Sequence, residues 1–317
     1  MYPVFIVDPF LVNDAKSGPN KTLFLLESLR DLDESLRARG SRLLVYRGHP
    51  VQLIPELARE WGVTDLCFEA CFEPRGMKRD DSVTRRAEAA GVRVSAPVGH
   101  TMYDPRYLVD LNGGSAPLTM QSFTKLCDRA GDPPAPLDPP AGGLPPVPPG
   151  APRTAAADAA VPSMADLGLE EPEGALRTPF RGGETEALAR FERSFANKAW
   201  VCGFAKPETN PASFLEPATT VLSPYLTFGC LSARLFHQRL VAVYREAKGK
   251  HTVPPVSLRW VAALPRASPW PPSAPPPRTA HPTPPHATPP PCLAAGPRCC
   301  GGSTSVCAGP TSPGSTT

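Results

Sequence analysis

Thr219-Thr220-Val221-Leu222-Ser223-Pro224-Tyr225-Leu226-Thr227-Phe228-Gly229-Cys230-Leu231-Ser232 is the most informative stretch of this chain. A Ser followed by Pro, then a short apolar run stopped by Gly, is the pattern of a compact helix: Ser223 is its cap, Pro224 its first helical residue and Gly229 its end. Ser232 then caps a second helix, which the apolar spacing of Leu235, Phe236, Leu240 and Val243 carries to about residue 250. Two further hydroxyl residues stand directly before the first cap. Free backbone N–H groups, the positive end of the helix dipole and the hydroxyls of Thr219, Thr220 and Ser223 together make a candidate phosphate site. A Ser-Pro pair taken alone carries no such claim, because capping by itself accounts for it.

Toward the N-terminus the pattern changes. Residues 2–8 form a short apolar run closed by Asp8-Pro9, which predicts a buried parallel strand. Asn20 is the expected cap of a helix over 21–39, where Leu25, Leu29, Leu32 and Leu36 recur at helical spacing against a charged opposite face. Further strands are expected at 41–47, 64–70 and 92–94, and further helices at 51–61 and 78–90. Strands alternating with helices of this length predict a doubly wound parallel α/β sheet. Its ligand crevice would lie beyond the carboxyl ends of the strands, lined by the loops at Asp8, at Gly48 and from Glu69 to Arg79. For Glu73 and Arg79 a solvated ion pair is the alternative role.

Composition bounds the rest. Of 317 residues, 44 are Pro, and the excess sits in two places. The first, 131–162, is a Pro/Ala/Gly tract that reads as a semi-rigid linker. The second, 259–317, has no helical or strand period and cannot bury a core. A net charge of +3 leaves no strong nucleic-acid footprint, although a local basic groove is compatible with it. No apolar run approaches the roughly 18 residues of a membrane helix, and the first residues lack the features of a signal peptide. Nine Cys without regular spacing, among them Cys67, Cys71, Cys127, Cys202 and Cys230 in apolar or helical surroundings, suit buried thiols in a reduced, intracellular compartment. No spacing supports a zinc site.

The 219–232 string resembles the flavin-phosphate segment of the photolyase/cryptochrome family, in the form found in (6-4) photolyases and animal-type cryptochromes. Other motifs follow in family order: Tyr2 to Pro9, Gly18-Pro19-Asn20, Arg47-Gly48, Phe68-Glu69, Glu73-Pro74, Arg79-Asp80, His100 to Asp104, Leu111-Asn112-Gly113 and Gly182-Gly183-Glu184. The resemblance implies a partial α/β antenna domain over 1–130, the linker at 131–162, and the start of an all-α flavin-binding domain over 163–258. It implies flavin adenine dinucleotide (FAD) as cofactor, with Lys206, Thr219, Thr220, Val221, Leu222 and Ser223 at its pyrophosphate. It also admits a second, antenna chromophore, a deazaflavin or a folate.

The implied activity of the intact protein is repair of (6-4) pyrimidine photoproducts in damaged DNA by light-driven electron transfer. The alternative is a non-enzymatic photoreceptor or clock-type protein with a signalling partner. The nucleus or cytoplasm is the expected setting, and a chloroplast is compatible. A different nucleotide-binding α/β protein would share the sheet but not the 219–232 string. Two departures stand out. The family's first strand, expected inside the sheet, is absent, which would expose its two neighbours. After Leu258 the family continues into its catalytic core, whereas here the resemblance stops, as it would at an unspliced intron or a shifted frame, with a proline-rich interaction tail as the other explanation. No catalytic residue is assigned, and the chain as written is not expected to repair DNA.

Overall fold

The computed structural model describes residues 1–10, 12, 18–149, 159–204, 219–248 and 250. Strands and helices alternate through the first hundred residues: β1 (Val4–Val7), α1 (Pro19–Ala38), β2 (Leu44–Arg47), α2 (Pro50–Glu60), β3 (Asp65–Cys67), α3 (Pro74–Ala89) and β4 (Arg93–Ser95). Side chains of a strand point alternately to its two faces, and here each face finds a helix. Val7, Leu43 and Val45 pack against Leu23, Leu26 and Leu29 of α1. Leu44 and Tyr46 pack on the other side with Leu57, flanked by Leu53 and Trp61. Helices on both faces of parallel strands are the doubly wound arrangement that the sequence predicts.

The strands form two parallel pairs. β1 pairs with β2 from Val4↔Leu44 to Val7↔Arg47, and β3 with β4 from Asp65↔Arg93 to Cys67↔Ser95. Among the described residues β1 and β3 therefore have one strand neighbour each. β1 is only part-buried over its first three residues, and β3 exposes both its ends. An interior parallel strand is normally buried on both faces, so these are open edges.

Several boundaries differ from expectation for local reasons. α1 starts at Pro19 with Gly18 before it. Asn20 does not cap it; its side chain instead donates to the Leu176 carbonyl at 2.7 Å and accepts from the Thr178 N–H at 2.9 Å. α3 starts at Pro74, four residues ahead of the apolar pattern, because Pro is favoured in a first helical turn. Periodicity does not announce α4 (Pro105–Leu111) or α5 (Met120–Ala130), but their caps do. Asp104 accepts the Arg106 N–H, and Thr119 and Ser122 form a reciprocal capping box.

Parts of the proline-rich tract lie against the sheet. The Leu144 N–H donates to the Arg39 carbonyl, Val147 joins the cluster under α2, and Ala159 accepts the Val45 N–H at 2.7 Å. Two short 3₁₀ turns (Ala165–Leu167 and Gly174–Leu176) follow, and the chain then becomes helical: α6 (Glu184–Ala196), α7 (Lys198–Gly203), α8 (Ser223–Thr227) and α9 (Ala233–Glu246). Ala187 and Phe191 of α6 share one cluster with Leu222, Tyr225 and Leu231, and Phe24 of α1 belongs to it too. α1 thus serves two cores, one beneath the sheet and one beneath the helices.

Candidate functional site

The 219–232 segment is built around a helix of five residues. Leu222 occupies the cap position and Ser223 is the first helical residue, one place earlier than the Ser-Pro pattern predicts, and no side chain caps the turn. Val221 causes the shift: its backbone is left-handed, at φ 51°, so the chain turns before Ser223 rather than at it. Gly229, at φ 74°, ends the helix as expected, because an L side chain is strained there. Ser232 caps α9 by accepting the Leu235 N–H at 3.3 Å.

The body of this segment is anchored. Tyr225 is fully buried and donates to the Arg181 carbonyl at 2.8 Å. Burial pushes its phenol above the ordinary tyrosine range. Phe24 packs its ring on Tyr225 and Phe228, with centroids 5.2 and 4.9 Å away. The Cys230 thiol sits 3.4 Å from the Ser28 hydroxyl. Ahead of this anchor, Thr219 and Thr220 are half-buried and Ser223 is exposed. Among the described residues, none of their three hydroxyls makes a side-chain hydrogen bond. Val221 is half-buried and Leu222 buried. Lys206 lies outside the described residues.

Further polar side chains stand where the strands end, in separate pairs. His49 Nδ1 lies 3.5 Å from the Asp8 carboxylate. Glu69, just after β3, accepts the Gly99 N–H at 2.5 Å and the His100 N–H at 3.0 Å, and its Oε1 lies 2.7 Å from His100 Nδ1. Burial would raise the Glu69 pKa, but these bonds outweigh it and hold the carboxyl below its ordinary value. Arg79 does not pair with Glu73. It pairs with its neighbour Asp80 at 2.7 Å, while Asp80 also accepts the Cys71 N–H. Glu73 stands at the cap of α3 without a side-chain capping bond. Arg106 lies over the Phe72 ring, 5.7 Å from its centroid.

Cys127 and Cys230 are buried as expected, whereas Cys67 is exposed at the end of β3, where burial of its strand stops. Among the described residues there is no cluster of three metal-ligating side chains. No described helix is long and apolar enough to cross a membrane.

Residues 1–141 match the DNA photolyase family. The chain is 45% identical to the (6-4)DNA photolyase of Arabidopsis thaliana over 81% of its own length and 47% of that protein. It is 41% identical to Cryptochrome-1 of Rattus norvegicus over 80% of its length and 43% of that protein. It spans about half the length of the curated relatives it matches. Its fold matches that of the archaeal photolyase from Sulfolobus tokodaii, solved with two FAD molecules, at a TM-score of 0.53 and 21% identity, covering 78% of this chain and 52% of that one. With the doubly wound front, the anchored 219–232 segment and these relatives in view, the chain belongs to the photolyase/cryptochrome family.

Proposed function

We propose that residues 219–223 hold the pyrophosphate of FAD, and that the chain is the antenna-side part and first flavin-contacting part of a (6-4) photolyase. The observation that carries this is a turn whose three hydroxyls bond no other described residue, set on a packed base. Thr219, Thr220 and Ser223 offer donors, the left-handed Val221 turns the backbone between them, and Tyr225, Phe228 and Cys230 lock the adjoining helix onto α1. Donors held by a packed element bind an anion with little ordering cost. Lys206 would add a positive charge to the same group.

When bound, FAD supplies the light absorption and the electron transfer of the family's chemistry. The residues of this chain bind and orient it and keep its phosphates in place. The intact protein would then repair (6-4) pyrimidine photoproducts in DNA, with a lesion taken out of the stack as its substrate. A second reading, a cryptochrome photoreceptor with a protein partner, is favoured by the 41% identity to Cryptochrome-1. Both readings put the intact protein in the nucleus or cytoplasm, and both divide this chain near residues 130 and 162. For a second chromophore, a deazaflavin or a folate, the crevice at Asp8, His49 and Glu69 is the proposed place. The two FAD molecules of the archaeal photolyase give that idea its support.

Titration of the full chain with FAD, followed by quenching of flavin fluorescence and by displacement with inorganic pyrophosphate, tests the assignment. The double variant Thr219→Ala/Ser223→Ala should bind at least about tenfold more weakly, as expected for two lost bonds to a charged group. A wild-type chain that takes up no flavin, or a double variant that binds as well as wild type, overturns it.

A further inference from the structure

We infer that Arg234 is a positioning residue that couples loop 98–104, at the carboxyl end of β4, to segment 219–232, so that ordering one orders the other. This deepens the flavin-phosphate reading and rests on it for the role of segment 219–232. The starting observation is a cation in an unfavourable place. Arg234 stands in the first turn of α9, where the helix dipole disfavours positive charge. Its guanidinium reaches away from the helix instead. Nε donates to the carbonyls of Thr101 and Met102 at 3.2 and 3.3 Å, and Nη2 donates to that of Val98 at 3.1 Å. Three carbonyls of one loop therefore converge on one planar fork, a match that the point charge of a lysine does not reproduce.

The same loop is held by a second side chain. Glu69 accepts the N–H groups of Gly99 and His100, so a carboxylate at the end of the sheet takes the loop's donors while Arg234 takes its acceptors. Between them they satisfy backbone groups that no strand or helix pairs. The α9 end of this link is short. Arg234 follows Ser232, which caps α9, and the Leu231 N–H donates to the Tyr225 carbonyl at 3.2 Å. A shift of the loop is thus transmitted through one side chain to the segment that carries the three hydroxyls. Two regions about 130 residues apart share one hinge point.

The experiment is hydrogen exchange by mass spectrometry on the full chain, for wild type, Arg234→Lys and Arg234→Gln, each with and without FAD. Without FAD, Arg234→Lys should exchange about tenfold faster in both 98–104 and 219–232 while β1, β2 and α1 keep their protection. With FAD, wild type should gain protection in both segments and Arg234→Lys only in 219–232, which a residue that merely stabilises the fold would not produce. Loosening confined to α9, or FAD protection of 219–232 in wild type that leaves 98–104 unchanged, overturns the coupling. Should Arg234→Gln fail to fold, Arg234→Lys decides, because it keeps the charge. Should wild type bind no FAD, the flavin reading falls, and the FAD-free arm alone decides the coupling: paired loosening sustains it and loosening of one segment overturns it.

Discussion

The carboxylate of Asp31, on α1, accepts the backbone N–H of Thr185 at 3.1 Å, so the first turn of α6 is capped by a side chain 154 positions away. The cap position of α6 is Gly183, which has no side chain to offer. One turn earlier on α1, Glu27 accepts the Gly182 N–H at 2.7 Å. Two carboxylates of one helix therefore satisfy the start of another, and α6 is complete only when α1 is folded beside it.

Asp31→Ala should cost about 1 kcal/mol of stability, the usual worth of a helix cap, and Asp31→Asn should recover most of it because an acceptor remains. Gly182→Ala should cost more, roughly 2–3 kcal/mol, as overpacking does. A Cβ there would stand 2.1 Å from the Phe24 carbonyl oxygen, which is backbone and cannot swing aside. Urea unfolding of the three variants checks the order, and a Gly182→Ala chain as stable as wild type would show that the two helices can separate freely.

Val221 is a β-branched residue in left-handed backbone, a conformation that costs roughly 1–3 kcal/mol. Replacing it with Gly should leave the melting temperature unchanged or raise it, against the usual loss on trimming a half-buried valine. Flavin affinity should fall at the same time, because the turn that presents Thr219, Thr220 and Ser223 becomes mobile. Calorimetry and flavin titration read the two effects separately, and a lower melting temperature would mean that packing outweighs strain at this position.

Glu69 sets an acid limit on loop 98–104. Its folded-state pKa is below the ordinary value of 4.5 despite the opposing effect of burial, so its bonds to Gly99 and His100 are fully present above that pH. They are lost as pH falls through the depressed value. Exchange or proteolysis within 98–104 should therefore rise below about pH 4.5, and Glu69→Gln should flatten that rise. A loop equally protected at about pH 3 and about pH 7 would remove Glu69 from this role.

The alkaline limit has the opposite sign. Burial raises the phenols of Tyr103, Tyr225 and Tyr244 above the ordinary value of 10.0. A raised folded-state pKa means stability that is intact below pH about 10 and declines as pH climbs through the folded values. The ultraviolet tyrosinate signal should then include a late step, in which the three buried phenols ionise only with unfolding. A single early step for all tyrosines would contradict it.

β1 should make the chain self-associate. The Leu44 N–H bonds the Pro3 carbonyl and the Gly48 N–H bonds the Val7 carbonyl, so Pro3, Phe5 and Val7 face β2 while Val4 and Ile6 turn their backbone groups to the open edge. Val4→Pro removes a donor from that edge and none from the ladder. Light scattering across a dilution series should show association in wild type and less in Val4→Pro. An equally associated Val4→Pro chain would point to a different surface.

Much of the α/β region is legible in the sequence because its signals are local. The leucine period of α1, the apolar period of the helix expected at 51–61 and the Gly48 break report on the residues that carry them, whatever lies nearby. The same holds for Ser232, whose cap depends on an N–H three residues on. Asn20 misleads for the complementary reason: it has the chemistry of a cap, but partners 156 and 158 positions away claim its side chain. Arg79 likewise finds Asp80 rather than Glu73, since helix α3 begins at Pro74 and carries the two residues apart.

By itself, then, the order of residues determined the alternation of strands and helices over the first hundred residues, and the Thr-Thr-Val-Leu-Ser-Pro string that marks the family, all of which rest on forces within a few residues. Only the tertiary structure decided that Ser223 starts its helix instead of capping it, that Asp31 caps α6, and that Arg234 reaches Val98, Thr101 and Met102. Those outcomes depend on which unpaired backbone groups from distant segments are left facing one another once the cores of α1 have closed, and no local period encodes that.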